Sequence, residues 1–328
     1  MSTSAPPAQS WVRHIVKPGF HLQMVYASAA ILMISILGCW LTSTQVPEAA
    51  HLGIGLTVAV AVLLPVFLYL QEKGQQHKWK LYLRDSALAI LWALFFTAIL
   101  GYPVTVAARL GMGIPLQDTH FAEWDRWLGV NVTSIAEWAS HHWLGNLVSK
   151  TYPLLFPYMN LTILLPIITG KVKYAQKFLL ANLVAFAIGL PIFALLPGVG
   201  PWYGFHLAAR PDQAACQALV LLIRQPGPYL YRYPSGVICF PSFHVIWAVL
   251  CAYALWGFRL LRIPACLFSS LIVLSTLTIG NHYLCDVLAG FVLVSVTIVI
   301  TERLSRRGSQ PGSGAIGIST AGLRAQGE

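Results

Sequence analysis

The stretch FPSFHVIWAVLCAYALWGFRLLRIPACLFSSLIVLSTLTIGNHYLCDVLAG (residues 240–290) decides how this chain folds. It holds two apolar runs, roughly 241–258 and 263–281, separated by a short segment with Arg259 and Arg262; a third run begins at 285. A bilayer-spanning helix needs about twenty mostly apolar residues. In lipid such runs must be helical, because an open strand leaves its backbone groups unpaired. Charged residues and histidines sit only at the run ends: His244 heads the first run, and His282 and Asp286 flank the junction of the second and third. One helix descends and the next returns, so the pattern predicts both histidines and the carboxylate at one surface.

The rest of the chain agrees. Of its 328 residues, 57% are hydrophobic and 10% charged, against about a quarter charged in soluble domains. The reading is an all-α polytopic membrane protein with about eight transmembrane helices, at roughly 22–43, 52–70, 86–106, 152–169, 177–197, 241–258, 263–281 and 285–302. The first twenty residues are polar and proline-containing, unlike a cleavable signal with a short apolar core, so the first span is expected to insert and stay. The tail from 303 to 328 is rich in glycine and serine and reads as a disordered cytoplasmic segment.

The formal charge is +10. In a soluble protein that would suggest nucleic acid; here basic residues retained in cytoplasmic loops account for it, and no nucleic-acid partner is expected. With both termini cytoplasmic, that side holds fifteen lysines and arginines and the other side six. This bias fits the positive-inside rule with an even number of spans. It places His244, His282 and Asp286 on the periplasmic or extracytoplasmic side, as in a bacterial inner or plasma membrane. Six cysteines show no CxxC spacing, and Cys216 and Cys239, near the same outer edge, are the pair open to a disulfide.

A histidine and an aspartate four residues apart lie one turn apart on a helix face. Asp286 then fixes the His282 tautomer and leaves the other ring nitrogen nucleophilic. His244 lies at the start of a run that descends from the same surface. Two histidines and a carboxylate suit phosphoryl transfer: one ring attacks phosphorus, while the other protonates the leaving alcohol and later deprotonates the incoming group. The same donor set has the chemistry of an iron or zinc site, but phosphohistidine chemistry requires no metal, and neither metal nor cofactor is expected. Ser242 reads as a helix cap or a phosphate hydrogen-bond donor.

PSFHV followed by GNHYLCDVLAG resembles the type-2 phosphatidic acid phosphatase superfamily. The resemblance implies His244 as acid/base, His282 as nucleophile and Asp286 as its orienter. It also implies a six-helix catalytic domain over 86–302, leaving a segment 1–21 and two additional helices over 22–85. The family has a lysine, six residues, then Arg-Pro; in YGFHLAARP, Tyr203 stands in the lysine position with Arg210-Pro211 in register. Where the family has an arginine six residues before the second histidine, this chain has Thr276. Losing two cations weakens the hold on a dianionic monoester; Arg210, Arg224 and Arg232 are candidates to compensate. The trimmed set is similar to the branch of inositol phosphorylceramide and sphingomyelin synthases, which move a phospho-headgroup between lipids. The implied substrates are membrane lipids, by hydrolysis or by transfer. A transporter and a catalytically inactive lipid-binding relative are the alternatives, although the ionisable residues gather at one surface and no internal repeat is found.

The segment DTHFAEWDRWLGVNVTSIAEWASHHWLG (residues 118–145) reads as amphipathic helices in the outer headgroup layer. Asp118 and Asp125 are expected on its solvated face, with headgroup binding as their other reading. Gly236 and Gly290 are expected to permit close approach.

Overall fold

The computed structural model describes residues 18–47, 78–234 and 236–307. Within them the chain is helical, apart from one two-residue parallel pairing of Thr44–Gln45 with Tyr229–Leu230. The helices are α1 (Pro18–Leu41), α2 (Lys78–Ile99), α3 (Gly101–Leu110), α4 (Asp118–Trp127), α5 (Val132–His141), α6 (Trp143–Ser149), α7 (Leu155–Ile168), α8 (Lys173–Leu195), α9 (Pro201–Gly204), α10 (Pro211–Ile223), α11 (Phe243–Leu255), α12 (Arg262–Thr278) and α13 (Leu284–Arg307). A 3₁₀ turn at Tyr152–Leu154 leads into α7.

Among the described residues, three helical stretches are long and apolar enough to cross a membrane: Trp143–Ile168, Lys173–Leu195 and Leu284–Ser305. Ala30–Leu41, Pro211–Ile223, Phe243–Leu255 and Arg262–Thr278 are shorter apolar helices. Among the described residues, three of the eight expected spans thus coincide with stretches that are both long and apolar enough. The runs at 241–258 and 263–281 are shortened because their ends form the polar turns that carry the motifs and the α11–α12 connection. The run at 86–106 is shared between α2 and α3, which meet at Leu100. The expected span at 52–70, the N-terminal segment to residue 17 and the tail from 308 lie outside the described residues.

The core is built around α8, which packs against α3, α7, α11 and α13. Phe178, Ala181, Ala185, Phe186 and Phe193 of α8 pack in one cluster with Phe243, Ile246 and Leu250 of α11 and Leu293 of α13. The expected hairpin forms: α11 runs away from the motif end, α12 returns, and they pack along their length, with Ser269 donating to the Ala248 carbonyl at 2.7 Å. At the opposite end Lys177 of α8 pairs with Glu302 of α13 at 2.7 Å, and the Tyr253 hydroxyl of α11 donates to the same carboxylate.

Two glycines set the geometry of the motif end. Gly280 closes α12 with φ of 69°, a conformation that disfavours residues bearing Cβ, and so turns the chain sharply into Asn281 and His282. A Cβ on Gly290 would lie 2.9 Å from the Ser242 carbonyl and 3.0 Å from the Val245 Cβ. As expected of Gly290, its missing side chain is what lets α13 approach the start of α11.

Candidate active site

The two motifs meet directly. The Ser242 amide donates to the Asp286 carbonyl at 3.1 Å. Ser242 caps α11, its hydroxyl accepting from the Val245 amide at 3.4 Å, and is fully buried. This fixes His244 in the first turn of α11.

His282 lies in the turn before α13 rather than on the helix face that its four-residue spacing from Asp286 suggests. The reason is the Gly280 reversal, after which the Asn281 and His282 amides both donate to the Thr276 carbonyl, at 3.2 and 3.4 Å. Asp286, third residue of α13, reaches back in capping-box fashion to accept from the Tyr283 amide at 3.0 Å. The same oxygen, Oδ2, lies 3.3 Å from His282 Nδ1 and accepts from the Cys239 thiol at 3.3 Å. The intended pairing of His282 and Asp286 is thus realised by a cap.

The imidazoles of His244 and His282 are neighbours, with centroids 5.7 Å apart and planes tilted by 56°. His244 stacks on Tyr152 at 4.1 Å with planes 15° apart, and the Tyr152 hydroxyl is 3.4 Å from His244 Nδ1. His244 Nε2 is buried with no hydrogen-bond partner among the described residues. His282 Nδ1 is engaged, which leaves its Nε2 as the nitrogen free for chemistry. Each ring thus has one nitrogen held by a neighbour and one available.

The remaining candidates separate. Arg210 lies at the site: its guanidinium donates to the Ile279 carbonyl at 2.7 Å and to Asn281 Oδ1 at 3.1 Å, and it pairs with Asp212. Gln213 reinforces the same turn, donating to Asn281 Oδ1 at 3.1 Å. Arg224 is turned elsewhere, donating to the carbonyls of Gly111, Met112 and Ile114. Arg232 is exposed beside Tyr229. Tyr203 packs half-buried on the main core, and Thr276 is fully buried beneath His282. Cys216 and Cys239 are free thiols, bonded to the Gly236 carbonyl and Asp286 respectively.

Asp118 and Asp125 overturn their expected solvated placement: they are 1% and 0% exposed. Asp125 accepts from the Leu284 and Cys285 amides at 2.8 and 2.9 Å. Asp118 accepts from the Val199 and Gly200 amides, and the Tyr283 hydroxyl lies 3.0 Å from it. Burial raises both carboxyls above the ordinary value, partly offset by these amide bonds. Neither has a free face for a headgroup. Their seven-residue spacing, two turns on one side of a helix, was a legible signal; nothing local marked Tyr152.

Cys239 Sγ, His282 Nδ1 and Asp286 Oδ2 lie within 4.8 Å of one another, a donor set that could hold a metal ion. All three atoms are already joined through the hydrogen bonds that converge on Oδ2, so their arrangement needs no ion to account for it.

Residues 119–300 match the family model described as the PAP2 superfamily. Comparison with curated proteins and with solved structures gave no match.

Proposed function

The chain belongs to the PAP2 superfamily of phosphatase-type enzymes, and on that footing we propose that it is an integral-membrane phosphoryl-transfer enzyme acting on lipid phosphate esters through a phosphohistidine. The observation that carries the reading is the adjacent pair of rings: centroids 5.7 Å apart, His282 Nδ1 beside Asp286, and His244 Nε2 buried without a partner among the described residues.

In the first step His282 Nε2 attacks phosphorus. The N–P bond forms, the bond to the lipid oxygen breaks, and His244 gives its proton to that oxygen. In the second step water or an acceptor lipid hydroxyl attacks phosphorus. His244 takes the proton, the N–P bond breaks, and both histidines return to their starting state. Asp286 stabilises the cationic ring that forms at His282. General acid–base assistance of this kind is worth roughly 10²–10⁴-fold.

The cation inventory favours headgroup transfer. Tyr203 and Thr276 replace two cations of the family pattern, and Arg224 is committed to backbone carbonyls. Arg210 is the arginine at the motif turn. A phosphodiester carries one negative charge where a monoester carries two, so a site with fewer cations suits a phospholipid donor. The charge bias between loops supports both termini in the cytoplasm and the site on the extracytoplasmic side.

Purified protein would be given phosphatidate, polyprenyl pyrophosphate, phosphatidylglycerol phosphate and the phosphodiester phosphatidylinositol, each labelled and each offered with an acceptor lipid, with and without chelator. Free phosphate and new phospholipid are followed together. The reading expects chelator-resistant turnover, with His282→Ala abolishing both turnover and the acid-labile phospho-enzyme. Normal turnover in His282→Ala would remove the nucleophile assignment. Folded wild-type protein inert toward every lipid would remove the enzymatic reading.

A further inference from the structure

Helix α4 touches both motifs, although it lies more than a hundred residues before either. Its outer face carries Trp124 and Trp127, the latter 85% exposed, with Leu128 just beyond its end. Its inner face carries Asp118, Phe121, Ala122 and Asp125, all buried. The Phe121 ring stacks on Phe240, which opens the first motif, at 4.9 Å, and lies tilted against Tyr283 of the second at 5.6 Å.

The two carboxylates bracket Tyr283. The first amides of a helix have no partner within it, and a helix is normally capped by the residues that precede it. In α13, Asp286 caps the Tyr283 amide, but the next two amides, of Leu284 and Cys285, are taken by Asp125 from another helix. Asp118 stands 3.0 Å from the Tyr283 hydroxyl while holding the Val199–Gly200 turn. The start of α13 is therefore fixed from outside, through groups within three residues of His282.

We propose that α4 is a positioning brace, in which Asp125 and Asp118 set the place of the His282–Asp286 segment relative to His244. This rests on the reading of His282 and His244 as the reacting pair. Both aspartates act through His282 and neither meets substrate. Two parallel N–H donors require two acceptor atoms. Asp125→Asn supplies one and turns an NH₂ group against the other donor, so the start of α13 shifts while most of the packing survives. A misplacement of about 1 Å at a reacting group costs on the order of 100-fold in rate.

The test is a single-turnover measurement with enzyme in excess, on whichever lipid of the four-member panel the wild-type protein consumes fastest. That rate constant does not depend on the fraction of inactive protein, so it separates misplacement from partial unfolding. Asp125→Asn is expected to lower it roughly 10- to 100-fold while KM stays within about twofold. Tyr283→Phe, which removes the hydroxyl that meets both Asp118, at 3.0 Å, and the carbonyl of the Gly200 turn that Asp118 holds, at 2.8 Å, is expected to lower it several-fold. Glu123→Gln, on the exposed face of the same helix, should leave it unchanged. A rate constant within about twofold of wild type in Asp125→Asn, or a loss confined to KM, overturns the brace. Should Asp125→Asn fail to fold, a wild-type rate constant in Tyr283→Phe overturns it instead. A wild-type protein without turnover removes the parent reading, and the brace with it.

Discussion

Replacing Asp286 by asparagine separates its charge from its hydrogen bonds, because of how its two oxygens are used. His282 Nδ1, the Tyr283 amide and the Cys239 thiol all converge on Oδ2. Oδ1 meets only the Cys285 thiol, at 3.8 Å, among the described residues. An asparagine that places its oxygen at the Oδ2 position keeps all three bonds and loses only the negative charge. A hydrogen bond to a charged group contributes about 1.5–3 kcal/mol and a neutral one about 0.5–1.5. The cationic ring that forms during attack at His282 thus loses about 1.5 kcal/mol of stabilisation, which is roughly tenfold in rate. Asp286→Ala removes the acceptor as well and leaves three buried donors unpaired, at about 1–3 kcal/mol each. The assay is the single-turnover rate constant of both variants beside their thermal melting in detergent. The expected result is Asp286→Asn about tenfold slow with near-native melting, and Asp286→Ala far slower and clearly destabilised. An Asp286→Asn rate within twofold of wild type would refute the role of its negative charge in stabilising the cationic His282 ring. Equal melting losses in the two variants would refute the argument from Oδ2.

The two arginines assigned different places should part in experiment: Arg224→Gln is expected to lose about 2 kcal/mol of stability, since it bonds backbone carbonyls, with KM unchanged, whereas Arg210→Gln raises KM several-fold with little change in melting. A raised KM in Arg224→Gln would return it to the phosphate site. Gly290→Ala drives a methyl against the Ser242 carbonyl and Val245; overpacking of this kind costs about 1–3 kcal/mol, and the widened gap between α11 and α13 lowers the turnover number, so an unchanged melting curve and rate would show the close approach to be dispensable. Burial raises the carboxyls of Asp118 and Asp125 from the ordinary 3.8, so the folded state binds their protons more tightly than the unfolded one. The stability linked to them is full below that ordinary value and falls as pH rises through the raised ones. Melting followed from about pH 4 to 7 should therefore decline more steeply in wild type than in Asp118→Asn, and parallel curves would contradict the assignment.

What the sequence by itself determined was local or topological. Apolar runs with polar ends specify helices, and a descending run followed by a returning one must bring its two outer ends to one level. That argument needs no knowledge of side-chain packing, and it placed His244, His282 and Asp286 together. The four-residue spacing carried the His282–Asp286 contact correctly even though the structure makes it with a cap instead of a helix face, because both geometries bring those positions within reach. What only the tertiary structure decided depends on contacts between distant parts of the chain. Tyr152 meets His244 across 92 residues, Arg224 finds carbonyls more than a hundred residues upstream, and Asp125 caps a helix 159 residues away. An aspartate on an amphipathic helix has the same local pattern whether it faces water or the orphan amides of another helix. Which of these it faces is settled when the elements pack, since only then is it known which backbone groups lack a partner.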